Sequence, residues 1–218
     1  MDADDAGGDA PLLGEPLPVE LMNTIWADRA GVHDALDHPD TALGWLRALG
    51  ERLEPEPSVI AAWLDEERPV DLRHAVDRLR RLRDALRRLA VEATGDPRDA
   101  AMSAIDERQV ALDVLDRSCA ARPIWSTLAW PPGQEPGRIV HLDGTVGDAV
   151  IALLAADAVE LFSGPTRFQL RGCLAPGCVL YFVKQHPRRE WCSAGCGNRA
   201  RVARHYQRHR VAGAAPSS

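Results

Sequence analysis

Residues 171–210 read RGCLAPGCVLYFVKQHPRREWCSAGCGNRARVARHYQRHR, and this stretch decides how the C-terminal end of the chain folds. Cys173, Cys178, Cys192 and Cys196 stand as C-x4-C, thirteen residues, then C-x3-C. Two close cysteine pairs either side of a short strand-like segment have the spacing of a structural zinc site, each pair giving one turn to a tetrahedral thiolate cage. The competing assignment, two disulfides, belongs to oxidising compartments. The N-terminus MDADDAGGDAPLLGE is acidic and lacks the basic flank and apolar run of a secretory signal. No stretch approaches the ~18 apolar residues of a membrane span. A cytoplasmic chain with reduced thiols and one structural Zn2+ is therefore expected. His186 is set aside as a ligand because four cysteines fill the shell, and Cys119 is expected to be a small buried hydrophobe.

Within the stretch, Pro176-Gly177 supplies a tight turn between the first two cysteines, and VLYFV reads as a short strand. Pro187 bends the chain, and Trp191 is expected to bring a second strand back to Cys192. A helix is predicted from Ser193, with Cys192 and Cys196 one turn apart on one face. Knuckle, hairpin and ligand-bearing helix make a treble-clef-like finger. At 100° per residue, Arg201, Arg204, His205 and Arg208 share one arc, with Val202, Ala203 and Tyr206 opposite. Arg199 and Arg210 fall with the apolar residues. The arc of Arg201, Arg204 and Arg208, helped by Lys184, Arg188 and Arg189 from the turn, is predicted to be an exposed phosphate-contacting surface, with a plain solvated face as the alternative. Arg199 is expected to bond inward to a carboxylate or backbone carbonyl. Asn198 and Gln207 are candidates to reach a base edge.

Charge supports an anionic partner. Residues 171–210 hold nine Lys/Arg and one acid, a balance of +8, while the remainder holds 17 basic and 31 acidic residues, a balance of −14. Four thiolates around zinc lower the module to near +6, a correction of about −2. An acidic body with a basic end points toward nucleic acid. Docking of the basic module on the acidic body is the alternative, and the two are compatible.

Upstream, helices are expected over about Val19–Arg29, over TALGWLRALG after Pro39, and over SVIAAWLDEE. The strongest pattern is VDLRHAVDRLRRLRDALRRLAVEATG, with Leu72, Val76, Leu79, Leu82 (or Arg83), Leu86 and Leu89 at three- and four-residue spacing. Gly95 and Pro97 end it. Its arginines alternate with Asp71, Asp77, Asp84 and Glu92, which reads as a salt-bridged solvated face. A second long helix is predicted from about Arg98 to Ala121. IWSTLAW and RIVHLD flank the turn-rich PPGQEPG and form a hairpin. TVGDAVIALLAADAVELF is apolar nearly all round, as a buried helix is. The predicted fold is mainly α with a small β-hairpin: a tail over 1–16, a helical domain over 17–164, the finger over 165–211 and a tail over 212–218.

WCSAGCGNRARVARHYQRHR, centred on Cys196-Gly197-Asn198-Arg199, resembles the signature of the CGNR zinc finger. LPVELMNTIW, with Asn23-Thr24, and DALDHPDTALGWL are similar to the start of the ABATE domain that precedes this finger in bacterial proteins. The resemblance covers nearly all of Leu17 to Arg210. It implies zinc at the four cysteines, a structural motif at Gly197, Asn198 and Arg199, and a stress-linked transcription regulator. Family members commonly have four residues between the last two cysteines, where this chain has three. That departure bears on how the basic helix is oriented against the hairpin.

Three function classes follow. The first is a DNA-binding regulator, with double-stranded DNA as partner and a helical domain that senses a small-molecule ligand or forms a homodimer; RNA stays open beside DNA. The second is a zinc-stapled protein-interaction module without nucleic-acid binding. An enzyme is not expected, because a catalytic zinc keeps an open position and four cysteines close the shell. No phosphate-cradling glycine loop, nucleophile elbow or HExxH pattern occurs either.

Overall fold

A computed structural model describes residues 10–53, 57–66, 69, 71–98, 103–120 and 124–213. In chain order, helix α1 (Leu17–Met22) leads into a hairpin of β1 (Ile25–Ala27) and β2 (Val32–Asp34), then α2 (Pro39–Leu49), α3 (Pro57–Asp65), α4 (Leu72–Thr94) and α5 (Arg108–Ala120). A second hairpin, β3 (Ile124–Ala129) and β4 (Gly137–Leu142), precedes α6 (Val146–Ser163). A 3-10 turn over Pro165–Gln169, strands β5 (Leu170–Gly172) and β6 (Tyr181–Val183), and α7 (Ala194–Gly213) complete the chain. Each sheet is an antiparallel pair, so the protein is mainly α with small two-stranded sheets. Among the described residues no helix is long and apolar enough to cross a membrane.

Helix α4 forms the centre because its apolar spacing gives one continuous stripe: Leu72, Val76, Leu79, Leu82 and Leu86 are all buried. Gly95 ends it in the left-handed region (φ 61°), where its N–H bonds Val91 O. Helix α6 starts on a Thr145 cap whose hydroxyl accepts the Asp148 N–H at 3.0 Å. It meets α4 closely at Gly147, where a Cβ would come within 2.7 Å of Ala75 Cβ. Asp71 ties the joint, accepting from Trp63 Nε1 at 2.7 Å and from the Gly147 N–H at 3.1 Å. One apolar cluster runs from Leu46, Leu79, Leu82, Leu86 and Leu154 into Leu170, Tyr181, Phe182 and Val183, so body and finger share a core.

Several sequence expectations are corrected. The first helix stops at Met22 instead of running to Arg29, because Asn23 turns its side chain to β6 and Thr24 caps backward, donating from Oγ1 to Leu21 O at 2.8 Å. Helix α5 begins at Arg108, not near Arg98. Arg98 lies in a turn in which its N–H bonds Asp96 Oδ1 at 3.0 Å, and Ser103 makes a second local turn by accepting the Ile105 N–H at 3.0 Å; residues 99–102 and 121 of that expected helix lie outside the described residues. Residues 10–16 are packed, not a tail: Glu15 is buried and accepts the Val183 N–H at 2.9 Å. Residues 1–9 and 214–218 of the two expected tails lie outside the described residues, and residues 212–213 belong to α7. The expectation of a solvated arginine face on α4 fails at Arg87, which is buried on the inner stripe, while Arg83 is buried at the stripe position given as the alternative to Leu82.

Candidate metal centre and nucleic-acid interface

The four cysteines come from two local turns. Cys173 leaves β5, its N–H bonding Leu180 O at 2.8 Å across the knuckle, and the Cys178 N–H bonds Ala175 O at 2.9 Å. Gly177 makes this turn at φ 74°, a conformation that side-chain-bearing residues rarely adopt. The partner of β6 is β5, upstream of the knuckle, so the strand expected at Trp191 is not formed. Cys196 enters α7 with its N–H on Ser193 Oγ at 3.2 Å. Gly197 gives Trp191 room, since a Cβ there would lie 3.2 Å from Trp191 Cδ1.

All four residues are buried and their Sγ atoms lie within 4.8 Å of one another. Cys192 and Cys196 are 3.4 Å apart, and Cys178 and Cys192 3.8 Å. An ion bonded tetrahedrally at about 2.3 Å separates its sulfurs by about 3.8 Å, so the set fits zinc. None of the five cysteines forms a disulfide in this structure, and Cys119 is half-buried against the core. The four thiols lie close enough to act on one another through hydrogen bonds. Hydrogen bonds from Cys173, Cys178 and Cys192 push the Cys196 thiol down, whereas the bond to Cys173 pushes Cys178 and Cys192 up. A divalent cation displaces those protons and lets all four act as thiolates. Arg199 Nη2 donates to Cys196 Sγ at 3.0 Å. The inward bond expected of Arg199 is seen here to a sulfur of the cage, from a residue that is itself exposed.

The finger is set into the body by buried polar contacts, none of which is evident from the sequence. Asn23 Nδ2 donates to Tyr181 O at 2.9 Å and its Oδ1 accepts the Tyr181 N–H at 2.8 Å, so one amide acts as a third strand beside β6. Arg87, fully buried, donates to Met22 O at 2.6 Å and to Val179 O at 3.0 Å, and lies 5.2 Å from the Tyr181 ring centre. Burial pushes its pKa down to about 10. Arg98 Nη1 donates to Cys178 O at 3.0 Å and Cys173 O at 3.3 Å while its other nitrogens hold Asp96. Gly172 leaves room for this fork, because a Cβ there would lie 2.8 Å from Arg98 Nη2. The Tyr181 hydroxyl donates to Asp96 Oδ2 at 2.9 Å, and burial raises its pKa to about 12. Tyr181 and Phe182 are core residues.

The predicted basic surface divides. Arg201, Arg204 and Arg208 are exposed or nearly so, as is Arg188, while Lys184 is half-buried with its N–H on Gln169 O at 2.8 Å. Arg189 is removed from this set: it pairs with buried Glu15 at 2.5 Å, donates to Val183 O at 3.1 Å and Cys192 O at 3.0 Å, and lies over the Phe182 ring. Asn198 is exposed and accepts from Arg201 Nη2 at 2.7 Å. An open groove of about 560 Å3 runs along the start of α7, lined among others by Arg188, Trp191, Ser193, Gly197, Arg201 and Arg204. Helix N-terminal N–H groups and arginines together favour an anion there. On the face opposite the arc Val202 is 54% and Tyr206 66% exposed, since α7 runs beyond the body after Ala200. The side chain of Arg210 lies outside the described ones.

Comparison with known families gives two matches. The model of a family named ABATE and described as "Putative stress-induced transcription regulator" matches residues 15–165. The model of the CGNR zinc finger matches residues 169–209. No curated protein matches the sequence.

Proposed function

This chain belongs to the ABATE family and carries a CGNR zinc finger, and from that premise we propose that it is a transcription regulator that binds double-stranded DNA through α7. The observation that carries this reading is the division of labour within the finger. Its hairpin side is used up by Asn23, Arg87, Arg98 and Glu15, while Arg188, Arg201, Arg204 and Arg208 keep solvent-facing guanidinium groups along one helix face and its adjoining groove. The acidic body engages Arg189 and leaves this arc to a separate anion. Phosphate contacts from such an arc supply affinity with little sequence choice. Zinc here is structural: four sulfurs close the shell and leave no position for a reacting water.

A protein-interaction module is the second reading, favoured by the exposed Val202 and Tyr206 on the face of α7 opposite the basic arc. Anisotropy of the zinc-loaded protein with duplex DNA over a salt series separates the two. Metal-dependent binding that falls steeply with salt supports the regulator; no binding at low salt with zinc present rejects it. Duplex RNA as competitor decides between the nucleic acids.

A further inference from the structure

Away from the finger, α4 and α5 leave between them an open cavity of about 520 Å3. Its lining among the described residues is His74, Arg78 and Arg81 from successive turns of α4, and Val114, Arg117 and Ser118 from successive turns of α5. No acid is among these lining residues. Arg78 is held by an ion pair with Asp148 of α6. His74, Arg81 and Arg117 make no hydrogen bond or ion pair among the described residues. Elsewhere on the same helix Arg80, Arg83, Arg87 and Arg88 are each occupied by carbonyls or carboxylates. Arg81 and Arg117, gathered in one concavity with no acid among its lining residues, repel one another, a cost that an anion of matching size removes.

We propose that this cavity binds a small molecule carrying a phosphate or diphosphate group. The guanidinium forks of Arg81 and Arg117, on facing helices, suit the tetrahedral oxygens of a phosphoryl group. Arg78, oriented by Asp148, and His74 lie about one and two turns before Arg81 on α4. Val114, 6% exposed, and Ser118, 7% exposed, form a floor on which an uncharged remainder packs. The volume lies in the range of small-molecule sites. The site also has a route to the finger. Arg81 and Arg87 are less than two turns apart on α4, and Arg87 holds the finger backbone at Val179. An anion that draws α4 and α5 together acts on the helix that carries the finger's anchor. This last step rests on the regulator reading; binding itself does not.

The test is calorimetric titration of the zinc-loaded full-length protein with inorganic pyrophosphate, against sodium chloride at equal ionic strength, with zinc content measured before and after. Saturable one-site binding is expected, weakened at least tenfold in the Arg81→Gln/Arg117→Gln variant, whose zinc content and ligand-free melting match the parent. The Arg201→Gln/Arg204→Gln variant removes any anion binding in the α7 groove and is expected to keep the saturable site of the cavity. Three results overturn the proposal: a response no different from sodium chloride, equal binding by the Arg81/Arg117 variant, or loss confined to the Arg201/Arg204 variant, which would put the anion in the α7 groove. Failure of duplex DNA binding, by contrast, leaves a positive titration standing and rejects only the regulator reading.

Discussion

Arg199 and Arg201 are two residues apart on α7 and do different work. Arg199 donates to Cys196 Sγ and offsets part of the charge that four thiolates place around a divalent ion. Groups that orient or neutralise metal ligands are worth roughly 10–100-fold in affinity. Arg199→Ala is therefore expected to weaken zinc binding about tenfold in a chelator competition. Arg201, Arg204 and Arg208 are exposed. Replacing all three with Gln is expected to leave zinc stoichiometry unchanged and to lower the slope of log affinity against log salt by about 3, one for each phosphate that is no longer neutralised. Arg87 carries the largest residue-scale effect. Arg87→Met keeps the apolar stem but strands the buried carbonyls of Met22 and Val179, and urea unfolding is expected to show a destabilisation of about 3 kcal/mol. A change below about 0.5 kcal/mol, the level of an ordinary surface substitution, would contradict the buried anchor.

At the scale of elements, the turn after α4 is a clamp on the knuckle. Burial works against the charge of Asp96, but hydrogen bonds from Arg98 and from the Tyr181 hydroxyl hold its carboxyl below the usual carboxylate range. Its folded pKa thus lies below the unfolded value of about 3.9, so its contribution to stability is complete above that value and lost as pH falls through the folded one. Asp96→Asn is expected to flatten the acid limb of a stability-against-pH curve; an unchanged limb would mean the clamp adds nothing. Elements also differ in how far they can be read from sequence. The α4 stripe, the Thr145 start of α6 and the cysteine spacing are local patterns, and each appears as expected. Asn23 reads as one more residue of an amphipathic turn because its partner, Tyr181, is 158 positions away. Arg83 and Arg87 continue the buried three- and four-residue spacing, which is a signal of burial, yet a charge on that stripe reads as solvated until a buried acceptor is known. The exposed arc of α7 is legible and Arg189 is not, because Glu15, its partner, sits in a stretch that composition alone assigns to a tail.

Over the whole molecule, one core spans Leu46 and Leu154 of the body and Tyr181 and Phe182 of the finger, with Cys173 and Cys178 in the same cluster. Zinc removal is therefore expected to lower the stability of the helices as well as the finger. Chelated protein and Cys192→Ser should each lose amide protection in α1 and α4 as well as in β6; a body that keeps full protection while the finger melts would show two independent units. A Cβ at Gly172 would collide with the Arg98 clamp, so Gly172→Ala is expected to loosen the same junction with all four ligands intact. The amide of Asn23 has a consequence for how such chains are assembled from parts. It completes a strand of the finger from the opposite end of the polypeptide, so a fragment beginning at Ser163-Gly164-Pro165 would carry every metal ligand and still lack part of its own sheet. What looks like an exchangeable cassette in the order of residues cannot be cut out and moved to another protein without bringing a piece of its former host along.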